Sequence, residues 1–97
     1  MNATGPVEAF LAHLSVERQG SAHTLDAYRR DLAALQAWAD ANGRVLLDLQ
    51  GDDLRAFIAS EHRRGLSPKS LQRRLSACRS LYRWLLKNGQ VAASPAE

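Results

Sequence analysis

Residues 67–89 read SPKSLQRRLSACRSLYRWLLKNG, a stretch that holds six Lys or Arg residues and no acid. Leu71, Leu75, Cys78, Leu81, Tyr82, Trp84, Leu85 and Leu86 run through the same segment. Ser67 is a good N-cap, Pro68 suits the first helical position, and Gly89 stands where a helix should stop. At about 100° per residue, Leu71, Leu75, Cys78, Tyr82, Leu85 and Leu86 share one arc. Lys69, Arg73, Ser76, Ser80, Arg83 and Lys87 share the opposite side. The segment therefore predicts a long helix with a core face and a continuous Lys, Arg and Ser face. Like charges one turn apart repel by a few tenths of a kcal/mol per pair. No acid within the segment offsets that, whereas a phosphate backbone would. A solvated charged face is the competing reading.

The wider charge distribution points the same way. Residues 1–54 carry four basic and eight acidic side chains, residues 55–97 nine basic and two acidic. Such asymmetry suits a polyanionic partner, nucleic acid before membrane. The chain has 97 residues, 45% of them hydrophobic and 24% charged, which fits one small globular domain. No apolar run approaches the roughly 18 residues needed to span a bilayer, and the start shows no signal-peptide pattern. A single cysteine cannot form an internal disulfide, so a reducing, cytoplasmic setting is expected. His13, His23, His62 and Cys78 have no metal-ligand spacing, and no cofactor motif is present.

Three further helices are legible. The first covers about residues 6–19, with Val7, Phe10, Leu11 and Leu14 at helical spacing, Thr4 or Gly5 before it and Gly20 after it. The second starts after Ser21 and runs to about residue 42, ahead of Gly43, with Leu25, Tyr28, Leu32, Leu35 and Ala39 as its stripe. Its other face, with His23, Ala27, Arg30, Ala34, Ala37 and Ala41, is short-chained and open to close approach. A connector over residues 44–50 packs Leu46, Leu47 or Leu49 inward. The third begins near Gly51 and ends before Gly65. The expected fold is all-α, a compact four-helix bundle of two helical hairpins. Residues 1–89 form its folded domain and residues 90–97 the beginning of a linker.

The order of these motifs resembles the N-terminal core-binding, SAM-like domain of the tyrosine recombinases, the phage integrase family. Ser21, Thr24, Leu25 and Tyr28 match the family pattern around its second helix. Ser67, Lys69, Ser70, Leu71, Arg73, Leu75, Arg79, Tyr82 and Trp84 match that of its fourth. Gly20 and Ser94 depart from it. The resemblance implies one half of a two-domain clamp around DNA, with the second and fourth helices laid on the major groove. By that implication His23, Thr24 and Ala27 meet DNA from one helix, and Lys69, Ser70, Arg73 and Arg74 from the other. Arg30 and Ser76 join them from the exposed faces described above. The implied partners are a double-stranded recombination site and a second, related recombinase subunit; no membrane or small-molecule substrate is implied.

In the family, strand cleavage and rejoining use a tyrosine and an Arg/Lys/His set in a C-terminal catalytic domain, which would follow the linker. No catalytic residue is read in this chain: Tyr28 and Tyr82 lie on apolar helix faces, and Cys78 sits mid-stripe as a small core residue. Trp38 and Trp84 fall beside the apolar arcs as half-buried packing residues. A helical protein–protein interaction module is the alternative function, since such bundles serve both roles.

Overall fold

The structure, a computed structural model, describes residues 5–17 and 22–96. It contains α1 (Pro6–Glu17), α2 (Ala22–Ala41), a 3-10 turn at Leu46–Asp48, α3 (Gly51–Arg63) and α4 (Pro68–Lys87), and no strand among the described residues. Thr4, Gly20 and Ser21, which the sequence sets at the ends of the first two helices, lie outside the described residues.

Local chemistry sets the helix ends. The Ser67 side chain accepts a hydrogen bond from the Ser70 amide at 3.2 Å, and Pro68 follows in the first turn of α4. At the other end, Gly89 has φ 72°, so the Gln90 amide reaches the Leu85 carbonyl at 2.9 Å and the Gly89 amide reaches Leu86 at 3.0 Å. This pair of bonds is a Schellman closure, which needs a left-handed residue. Gly65 closes α3 in the same way and turns the chain directly into α4. The start of α3 depends on a residue that the sequence reading passed over. Gln50 is its N-cap, in a capping box in which the Asp53 carboxylate accepts the Gln50 amide at 2.8 Å. Asp53 also accepts from Arg44 at 2.8 Å, tying the connector to the helix.

α4 packs against α1, α2 and α3, most extensively against α2, and α1 also packs against α2. Phe10, Leu11, Leu32, Leu35, Ala39, Leu54, Phe57, Ala77, Cys78, Leu81, Tyr82 and Leu85 fill the space between them. Leu46 and Leu49 close one end from the connector. The Tyr82 hydroxyl, fully buried, donates to the Leu46 carbonyl at 2.8 Å. That bond anchors the connector to the second half of α4. Trp38 and Trp84 are half-buried at the core margin, as their wheel positions suggest. Residues beyond α4 fold back: Ala96 is buried, and its carbonyl accepts from Arg79 at 3.2 Å.

Candidate nucleic-acid interface

The face of α4 turned to the core is Arg74, Ala77, Cys78, Leu81, Tyr82 and Leu85. That set is centred roughly 60° away from the arc that hydropathy alone assigns. Leu86 is consequently exposed, and Leu71 and Leu75 are only half-buried. The rotation brings two arginines of α4 onto a buried acid. Asp31 on α2 is 0% exposed, and three arginine N–H groups from α4 close around it. Arg73 donates from Nε to Oδ2 at 3.0 Å and from Nη2 to Oδ1 at 2.8 Å. Arg74 donates from Nε to Oδ1 at 3.0 Å. Arg74 also pairs with Glu61 of α3, which in turn pairs with Arg64 at 3.1 Å. Two acids and three arginines thus join α2, α3 and α4, and every buried side-chain polar atom among the described residues is satisfied. The Arg73 pKa is raised, chiefly by its hydrogen bonds to Asp31, so it stays fully charged. The acid-free segment has its counter-charges after all; they come from neighbouring helices.

Around this network the site residues expected from the sequence fall into two groups. Lys69 and Ser76 are exposed on α4, as are Arg83 and Lys87 further along it. His23, Thr24 and Arg30 are exposed on α2, with Ala27 half-buried between them. Ser70 is half-buried, and its hydroxyl accepts from Ser67 at 3.1 Å. Arg73 keeps 41% of its side chain in solvent, but Arg74 keeps only 12% and has both acids as partners. Arg74 therefore holds the helices together from beneath the surface.

The two helices run antiparallel across this face. Thr24, Leu25 and Tyr28 of α2 line a cleft of about 370 Å³ together with Ser80, Arg83 and Trp84 of α4. Asp31 meets Arg73 nearer the start of α4. The beginning of α2 thus lies beside the second half of α4. Lys69 is roughly 21 Å further along the axis than Arg83. Sequence reasoning placed the two N-terminal ends on one face but could not set this direction. Asp31 and Glu61 were missed altogether. The available signal was an acid at the border between the apolar stripe and the alanine face of α2.

No cluster of potential metal ligands occurs among the described residues, and none of their helices is long and apolar enough to cross a membrane. Tyr82 is sealed in the core, where burial raises its pKa further than any charge does. Burial likewise pushes the Cys78 thiol up to about 12. Neither group has the exposure that nucleophilic chemistry would need.

An all-helical domain with this motif order has a known class. Residues 7–89 match the family described as phage integrase, N-terminal SAM-like domain, and the chain belongs to that family. Over 93% of its length it is 69% identical to the tyrosine recombinase XerC of Xanthomonas campestris pv. campestris (strain B100). It is 61% identical to that of Xylella fastidiosa (strain 9a5c) and 50% identical to that of Pseudomonas aeruginosa (strain LESB58), again over 93% of the chain. The chain spans 28%, 31% and 30% of the lengths of these three relatives.

Proposed function

We propose that this chain is the DNA-binding half of the clamp of a site-specific tyrosine recombinase, with α2 and α4 laid on the major groove. The observation that carries the reading is the exposed Lys69, Ser76, Arg83 and Lys87 line on α4 beside the exposed start of α2. Cations and small hydroxyls on a straight helix suit phosphate and base-edge contacts in a groove wide enough to admit it. The XerC relatives support a role in DNA recombination, and the proposal extends to chromosome dimer resolution in the cytoplasm with a second, XerD-like subunit. Strand cleavage itself belongs, on this reading, to a catalytic domain beyond the linker at residues 90–97. The test is a titration of isotope-labelled chain with duplex DNA, read by amide chemical shifts. Perturbations should cluster on residues 23–30 and 69–83. Perturbation confined to α1 and α3, or none, would remove α2 and α4 as the DNA face and favour a protein partner.

A further inference from the structure

We propose that Asp31 is a positioning residue: it holds the Arg73 guanidinium so that its unused edge reads a guanine in the major groove. The inference rests on the DNA-binding reading above and assigns a specificity role within that face.

The fold's own need for a counter-ion is met by Arg74. That side chain bridges Asp31 and Glu61, is 12% exposed, and links all three helices. Arg73 is a second arginine on the same carboxylate, yet 41% of its side chain remains in solvent. Its pairing is side-on, through Nε and Nη2, and it has no other partner among the described residues. A guanidinium carries five N–H donors in a rigid plane. The side-on pair uses two of them. The parallel N–H groups of Nη1 and Nη2 remain, and that edge matches the O6 and N7 acceptors of guanine. A lone arginine must freeze several rotatable bonds to reach a base. One already held by a buried carboxylate has lost that freedom before DNA arrives, which converts contact into discrimination rather than into ordering cost. The charge balance agrees. Asp31 and Glu61 offset two of the three arginines in the network, so sequence-independent attraction falls to the exposed cations around it, including Lys69 and Lys87.

The experiment is selection from a randomised duplex pool with the chain and two variants, Asp31→Asn and Arg73→Lys, each checked for helical content by circular dichroism. The wild-type chain should enrich a site with a fixed guanine. Both variants should lose preference at that one position by roughly five- to a hundredfold, the span of a good bidentate pair. Preference elsewhere should persist. Overall duplex affinity of Asp31→Asn should be retained or should rise, because a negative charge has gone. A purely structural role would instead lower affinity for all sequences together. Should Asp31→Asn fail to fold, the wild-type chain still decides the matter through the Arg73 Nε–H. That group should be ordered on the nanosecond scale in the free protein, and an order parameter below about 0.6 would contradict the proposal. Unchanged guanine preference in folded Asp31→Asn, or wild-type binding with no fixed guanine, overturns the positioning role alone. A wild-type chain that binds no duplex overturns the DNA reading itself.

Discussion

Arg74 occupies a place that a large aliphatic side chain would fill in most helical cores. Its two acidic partners are almost completely buried, so removing it leaves Asp31 with Arg73 alone and Glu61 with Arg64 alone, and unties the three helices. Losing a hydrogen bond to a charged group that keeps another partner costs about 1.5–3 kcal/mol. We expect Arg74→Ala to lose about that much in urea denaturation, while Lys69→Ala, on an exposed turn, stays within about 0.5 kcal/mol of the parent. Equal effects would mean that the network carries little of the fold. Cys78 gives a second test at this scale. Its folded pKa of about 12 lies above the ordinary 9.0, mainly through burial. The unfolded thiol therefore ionises first. The Cys78 contribution is constant below the ordinary thiol range and destabilises as pH rises through it, by at most about 1.4 kcal/mol per unit. Tyr82, also raised, adds a similar loss above 10.0. Cys78→Ala should flatten the decline between those two onsets and leave the Tyr82 part. An unchanged slope would place the titrating group elsewhere.

At the level of the helices, the ends were the most legible part of the sequence. Ser67, Pro68, Gly65 and Gly89 carry cap chemistry that depends on neighbours within a turn, so a one-dimensional reading recovers it. Substitution of Ser67 by Ala should cost about 1 kcal/mol in thermal or urea unfolding, since the Ser70 amide loses its acceptor. No measurable change would mean that solvent replaces the cap. Connector packing was also readable, with Leu46 and Leu49 buried and Leu47 at the margin. The rotation of α4 was not. Hydropathy counts Arg74 as a surface residue and Leu86 as a core residue, and the structure reverses both. The reason is that Asp31 and Glu61, 43 and 13 residues away from Arg74, supply the counter-charges. Partners that distant leave no periodic signal. Arg44, whose pairing with Asp53 makes it a strut of the α3 cap, likewise gives no periodic signal. As for the candidate site, the basic line on α4 was legible from spacing. The division between Arg73, half in solvent, and Arg74, nearly enclosed, was not.

For the molecule as a whole, the proposed arrangement is a small bundle whose core-side electrostatics present a basic edge to a duplex. Both tyrosines are packing residues in it, with Tyr82 engaged to the Leu46 carbonyl and Tyr28 packed at the core margin. Incubation with a nicked suicide duplex should therefore give no phosphotyrosyl adduct by mass spectrometry, and an adduct on either tyrosine would assign chemistry to this chain. The central claim is that the exposed cations of α4 and α2 bind the phosphate backbone, and the salt dependence of duplex binding tests it most directly. If about four phosphates are neutralised, the affinity of the chain for a duplex should fall roughly a hundredfold between 50 and 200 mM salt. An affinity that holds steady across that range would contradict the electrostatic account and point to a protein partner for the same face.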